Sequence, residues 1–301
     1  MSMQWTGVMP AITTPFDDAG NIDHAFLAEH AKWLVAEGCS GIVGLGSLGE
    51  GGTLAPEERE ALLHTLVTAV GDQVPIVAAV ASLSTADAVA QAQRAEALGC
   101  RGLMVLPPYI YRGVWAEQRA HLRAVIEATS LSCMLYNNPV AYVVDYSPEQ
   151  VAEMADLCPN LHAMKESSTD VRRITAIRAM LGDRLTLLVG VDDVAVEGVA
   201  AGARGWIAGL VNAMPRESIA LWEAALRNDQ ATVDKIYPWF LPLLRLDTVP
   251  HFVQLIKLVQ AKVDRGTETV RPPRQLLSGS DRDEAMRVID VALRDRPQIK
   301  A

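Results

Sequence analysis

The segment Glu37-Gly38-Cys39-Ser40-Gly41-Ile42-Val43 has two counterparts further along the chain, Leu98-Gly99-Cys100-Arg101-Gly102-Leu103-Met104 and Ala201-Gly202-Ala203-Arg204-Gly205-Trp206-Ile207. Each reads as a helix end, a tight turn and the start of an apolar strand, with a glycine where only glycine enters the left-handed conformation without strain. Outward from these junctions, short β-rich runs alternate with longer helix-patterned stretches. The predicted strands are 8–13, 41–45, 75–80, 102–106, 133–136, 161–165, 185–189 and 205–207. Helices are predicted over 23–37, 56–70, 84–98, 115–129, 147–157, 170–181, 192–201 and 215–227. The clearest helix start is Ser147-Pro148-Glu149-Gln150, with serine as N-cap, proline at the first helical position and glutamine placed to close a capping box.

Eight such units predict an α/β fold, a (β/α)8 TIM barrel over residues 1–227. An open doubly wound sheet more often has five or six strands and a glycine-rich phosphate fingerprint, and neither GxGxxG nor GxxxxGK[ST] occurs. After Arg227 the strand pattern stops. Residues 228–301 read as a C-terminal helical extension, with helices over 230–240, 245–264 and 281–294. Its apolar, aromatic run Tyr237-Pro238-Trp239-Phe240-Leu241-Pro242-Leu243-Leu244 asks to be buried against the barrel or a second subunit.

Composition narrows the function. Of 301 residues, 27 are Lys or Arg and 36 Asp or Glu, for a formal charge of −9, and the basic residues form no stripe interleaved with aromatics. Nucleic acid is therefore not expected as a partner. Cys39, Cys100, Cys133 and Cys158 stand far apart, without a CxxC pair or a Cys/His cluster, which predicts reduced, buried thiols and no metal site. Residues 1–10 have neither a positive n-region nor an apolar h-region, and no apolar run is long enough to span a bilayer. A cytoplasmic protein without membrane contact is the expectation.

In a barrel of this kind functional groups gather at the C-terminal ends of the strands. Four segments fall there: Gly44-Leu45-Gly46-Ser47-Leu48-Gly49-Glu50, Tyr136-Asn137-Asn138-Pro139, Lys165-Glu166-Ser167 and Gly190-Val191-Asp192-Asp193. Lys165 closes an apolar strand, where desolvation would lower its pKa and leave an amine able to form a Schiff base. The plainer alternative is a solvated lysine at a strand end. Tyr136, on the adjacent strand, could shuttle protons to that amine, or could simply be a packed aromatic. The Gly46–Gly49 turn could offer backbone N–H groups and the Ser47 hydroxyl to a carboxylate. Asp192 and Asp193 read most simply as partners of a helix N-terminal dipole. No GxSxG elbow or HExxH pair is present.

Taken together, Gly46, Gly49 and Glu50 after strand 2, Tyr136-Asn137 and Pro139 after strand 5, and Lys165-Glu166 ending strand 6 resemble the dihydrodipicolinate synthase/N-acetylneuraminate lyase family of Schiff-base enzymes, from about Gly7 into the tail. The resemblance implies a 2-oxo acid held as an imine on Lys165, Tyr136 as proton shuttle, and a carboxylate gripped by Ser47 and the Leu48 N–H. It also places Gly190 and Ile207 in the pocket, and implies no cofactor and a homo-oligomer, a dimer or tetramer.

Where the synthases read Gly-Thr-Thr-Gly-Glu, this chain has Leu48 in place of a hydroxyl residue; their carboxylate-gripping arginine corresponds to Ala141, and their relay tyrosine from the neighbouring subunit to Ile110. The segments Tyr136–Tyr142, Lys165–Ser168, Gly190–Asp193, Gly209–Ala213 and Leu246–Thr248 are more similar to the Δ1-pyrroline-4-hydroxy-2-carboxylate deaminases of hydroxyproline breakdown. Two other readings stand beside that one. The same lysine could serve a 2-keto-3-deoxy-sugar-acid dehydratase or a pyruvate-dependent, dihydrodipicolinate synthase-like aldolase, or the chain could be a non-catalytic barrel that binds an acid.

Overall fold

The computed structural model describes residues 3–299; residues 1, 2, 300 and 301, the outer ends of the two predicted segments, lie outside the described residues. Strands β1 (Gly7–Pro10), β2 (Ile42–Gly44), β3 (Ile76–Val80), β4 (Gly102–Val105), β5 (Ser132–Asn137), β6 (Leu161–Glu166), β7 (Thr186–Val189) and β8 (Gly205–Ala208) are all parallel. They run in the order β1-β8-β7-β6-β5-β4-β3-β2. A bridge between Ala11 and Val43, with Ile12 N donating to Val43 O at 2.9 Å, joins the two outer strands and closes the ring into a TIM barrel. Every residue of β3, β4 and β8 is buried, as expected for strands covered on both faces.

The covering helices are α1 (His24–Ala36), α2 (Pro56–Val70), α3 (Thr85–Ala97), α4 (Trp115–Glu127), α5 (Pro139–Tyr142), α6 (Pro148–Leu157), α7 (Arg172–Leu181), α8 (Ala195–Ala201) and α9 (Pro215–Leu226). The three junctions behave as their sequence dictates: Gly38, Gly99 and Gly202 have φ of +103°, +91° and +114°, and a strand follows each. The capping box of α6 forms as well, Gln150 N donating to Ser147 Oγ at 3.3 Å and Ser147 N to Gln150 Oε1 at 2.9 Å.

Three differences from the expected elements matter for function. Residues 139–142 form the one-turn α5, started by Asn138, whose Oδ1 accepts from Ala141 N at 3.0 Å. Residues 192–201 begin as a 3-10 turn, Asp192–Val194, before α8. The helix expected over 245–264 is broken into a 3-10 turn, Arg245–Asp247, and a helix, Phe252–Lys262 (α11 below). Pro250 accounts for the break, because the residue before a proline is driven from the helical region.

Beyond α9 follow α10 (Gln230–Leu244), α11 and α12 (Gly279–Arg294). The apolar run of α10 buries Ile236, Phe240, Leu243 and Leu244, so the helix continues through Pro238 and Pro242 despite the hydrogen bonds each proline removes. From α11, Lys257 reaches the barrel: its Nζ lies 2.7 Å from Glu50 Oε1 and also donates to Thr14 O and Thr269 O. Both side chains are almost wholly buried. Breaking a buried pair by removing one partner costs about 3–5 kcal/mol, because the other charge is stranded. Lys257→Met is therefore expected to lower the thermal midpoint by roughly 5–8 °C for a chain of this size, measured by calorimetry; a midpoint unchanged within 1 °C would show that the pair contributes nothing net.

Candidate active site

Tyr136 of β5 and Lys165 of β6 are directly paired in register, so their side chains leave the sheet on the same side. The Lys165 ammonium nitrogen sits 4.2 Å from the centroid of the Tyr136 ring. Both residues are buried, Lys165 being 6% exposed, and they face a cavity of about 450 Å³ at the C-terminal mouth of the barrel. Glu166, next in the strand, faces the other way: it accepts from Ser168 N at 2.6 Å and pairs with Arg173 at 3.3 Å, which fixes the strand end. Room for the lysine comes from Gly190. A methyl group there would overlap Ser167 Oγ and stand 2.5 Å from Lys165 Cε.

No protein hydrogen bond to Lys165 Nζ is present among the described residues. Burial drives its pKa down to about 8, while the negative charges of Asp247 and then Asp192 oppose the shift. Burial pushes the Tyr136 phenol up to about 12, and its oxygen accepts from Asn138 Nδ2 at 2.9 Å. A phenol held protonated beside a partly neutral amine can give and recover a proton as carbinolamine and imine interconvert.

The loop after β2 supplies the second wall. Leu45 (φ +66°) and Glu50 (φ +54°) both adopt left-handed conformations, which a non-glycine residue tolerates only where its surroundings impose them. The Glu50 carboxylate is held by the buried Lys257 and by the backbone N–H of Arg271, which donates to Glu50 Oε2 at 3.0 Å. So held, Ser47 and Leu48 line the cavity, and the Ser47 hydroxyl bonds that of Tyr142. The Tyr142 ring meets Tyr136 edge-on, with centroids 5.9 Å apart.

All six residues singled out from the sequence, Lys165, Tyr136, Ser47, Leu48, Gly190 and Ile207, line this one cavity. Asp192 differs from the dipole reading. It is fully buried and turned inward, accepting from Trp206 Nε1 at 3.0 Å, Gly209 N at 3.0 Å and Leu210 N at 2.8 Å. Burial raises its pKa to about 6 against those three donors. Asp193, the other half of that reading, pairs with Arg245 at 3.7 Å.

Tyr142, Ser167 and Asp247 fell within the segments quoted from the sequence but were given no role there, and Arg274 was not named at all; all four line the same cavity. The break before Pro250 was the signal that could have exposed Asp247, since it turns a presumed helix interior into a loop at the barrel mouth. Among the described residues no group of three or more His, Cys, Asp or Glu side chains is placed to hold a metal ion.

The model of the dihydrodipicolinate synthetase family matches residues 4–292. The chain belongs to this family. It is 31% identical over 288 residues to the 4-hydroxy-tetrahydrodipicolinate synthase of Roseobacter denitrificans, covering 96% of this chain and 97% of that one. It is also 33% identical over 274 residues, 89% of each chain, to an Ectopseudomonas mendocina protein named "Probable 5-dehydro-4-deoxyglucarate dehydratase". Among solved structures, the dihydrodipicolinate synthase DapA-2 of Bacillus anthracis superposes with a TM-score of 0.92 at 25% identity, over 98% of this chain and 100% of that one. The chain is thus a lyase-type enzyme of a family whose members work through a lysine Schiff base on small keto acids.

The pH dependence follows from the depressed lysine. The neutral amine is the attacking form, so at pH 7 about one chain in ten is ready, against about one in 3,000 for a lysine at its ordinary pKa. The second-order rate of imine formation, followed by borohydride trapping of a 2-oxo acid, is expected to rise about tenfold per pH unit and level off near pH 8. A rate still climbing at pH 10 would mean that the amine is not desolvated.

Proposed function

We propose that this chain is a Δ1-pyrroline-4-hydroxy-2-carboxylate deaminase. The observation that carries the reading is the pairing, in one cavity, of an amine that has no hydrogen-bond partner among the described residues with a phenol whose pKa burial raises. Ala141, which the resemblance sets at the position of the synthases' carboxylate-gripping arginine, lines that pocket. Lys165 attacks the ring imine carbon and opens the ring to a lysine Schiff base, with Tyr136 moving the protons. Ser47 and the Leu48 N–H hold the single carboxylate, and Gly190 and Ile207 shape the wall around the carbon chain. The 4-hydroxyl, β to the imine carbon, is lost as water. Tautomerisation and two hydrolyses then release ammonia and 2,5-dioxopentanoate, for a net uptake of one water.

A second reading has one observation behind it. Arg274 lines the cavity, its Nη1 3.7 Å from the Glu50 carboxylate, and could receive the second carboxylate of a sugar diacid such as 5-dehydro-4-deoxyglucarate. Ammonia release from the pyrroline, assayed beside keto-acid consumption with the diacid, separates the two. The deaminase reading expects ammonia from the wild type, none from Lys165→Ala, and a loss of about 10²–10⁴-fold in kcat for Tyr136→Phe. Ammonia release at the normal rate by Lys165→Ala would remove the lysine mechanism. Turnover of the diacid alone would transfer the assignment to the dehydratase, and no adduct with any oxo acid would leave a binding barrel.

We further infer a cytoplasmic homo-oligomer, a dimer or tetramer. Ile110, Val114, Val140 and Val143, in the segments before α4 and around α5, expose 72%, 67%, 69% and 53% of their surface, an apolar group of the kind that a second subunit covers. Light scattering is expected to give at least twice the chain mass, and Ile110→Asp combined with Val140→Asp to reduce it; a monomeric wild type would refute the assignment.

A further inference from the structure

Asp247 is the one carboxyl side chain on the cavity wall that no described protein group satisfies. Its neighbour Asp192 spends both oxygens on Trp206, Gly209 and Leu210. Asp247 accepts no protein hydrogen bond among the described residues, yet it lines the cavity with Lys165 and Tyr136. It belongs to the 3-10 turn between α10 and α11, outside the eight βα units, and is brought to the barrel by a gap in the backbone wall. The gap is Gly209, just past the end of β8: a methyl group there would overlap Asp247 Oδ1 and stand 2.5 Å from its Cγ. The order of strands puts Tyr136, on β5, to one side of Lys165, and β7 and β8, with Asp247 above them, to the other.

We propose that Asp247 is a second catalytic residue, the acid that protonates the departing hydroxyl on the carbon β to the Lys165 imine. This rests on the reading of the pocket as a Schiff-base centre that expels a β-hydroxyl. In the enamine, the nitrogen lone pair closes the N=C2 bond and the C2=C3 pair moves to C3=C4. The C4–O bond breaks, and the oxygen leaves as water with the Asp247 proton. The conjugated iminium and an Asp247 carboxylate remain, and the carboxylate regains its proton from C5 as the iminium tautomerises. No oxidant or reductant is involved. The group is suited to the task because burial and then the charge of Asp192 raise its pKa well above the ordinary carboxyl value, against the pull of Lys165, and a raised carboxyl pKa favours the proton-donating form. Tyr136, on the other side of the amine, is free to serve imine formation.

The test compares two reactions of one protein. Exchange of the pyruvate methyl protons in heavy water needs the imine and enamine but no leaving hydroxyl; ammonia release from the pyrroline needs both. Asp247→Asn is expected to keep exchange within about threefold of wild type and to lose ammonia release by about 100-fold or more, with partial recovery in Asp247→Glu. Ammonia release within threefold of wild type in Asp247→Asn overturns the proposal, as does a fall in exchange that parallels the fall in release. A wild type that exchanges pyruvate but expels no hydroxyl overturns the reading of the pocket itself, and this inference with it.

Discussion

Everything the pocket can do depends on one amine being withdrawn from water without being given a dedicated counter-ion. A charged ammonium in a low-dielectric site is costly, and the protein has two ways to answer that cost: neutralise the charge or satisfy it. Lys165 and Lys257 show both. Lys257 is buried as deeply and burial lowers its pKa too, but a carboxylate and two carbonyl oxygens surround its nitrogen, and the Glu50 charge and hydrogen bond oppose the shift. Around Lys165 there is an aromatic face and a cavity; of the two carboxyl groups whose charge it feels, Asp192 is committed to three other donors. Its proton is therefore weakly held. One residue type in two environments yields a rivet and, under the proposed chemistry, a nucleophile.

The rivet and the nucleophile are connected. Glu50 ends the loop that carries Ser47 and Leu48, and α11 and the segment leading away from it hold its carboxylate through Lys257 and Arg271. Those contacts anchor the left-handed Glu50 at the end of the loop, whose Ser47 and Leu48 line the cavity. The helices that follow the eighth unit also bring Asp247 and Arg274 to the cavity. The barrel alone would present the lysine and the tyrosine in a cup open on one side.

How much of this could be read from residues alone varies with the physics behind each part. The barrel was legible because β-rich runs, helical periods and glycine stops are local signals, and they recur with the same meaning at Gly38, Gly99 and Gly202. Lys165 and Tyr136 were legible because each closes a strand, and strand ends in this fold meet at one place. Asp192 was misread because its environment is set by Trp206 and the backbone past β8, which its own neighbours in sequence do not reveal. Tyr142 was hidden for a similar reason: α5 is four residues long, too short to leave a periodic pattern, and only its fold against Ser47 gives that hydroxyl a purpose. Asp247 lay inside a stretch whose apolar spacing suited a helix, and Pro250 outweighed that spacing.

The balance of charges around the amine bears on which Schiff-base chemistry the site suits. Condensing an imine-bound oxo acid with a second acid calls for a cation to dock the incoming carboxylate beside the lysine. Arg274, the guanidinium on the cavity wall, is drawn toward the Glu50 carboxylate. What flanks Lys165 instead is the Tyr136 phenol, pushed up to about 12 by burial, and the Asp247 carboxyl, which burial and the charge of Asp192 raise above its ordinary value. Two such groups do little for the capture of a charged partner. They are well matched to expulsion of a hydroxyl, where hydroxide is a poor leaving group and the barrier falls chiefly by supplying it with a proton before the bond breaks.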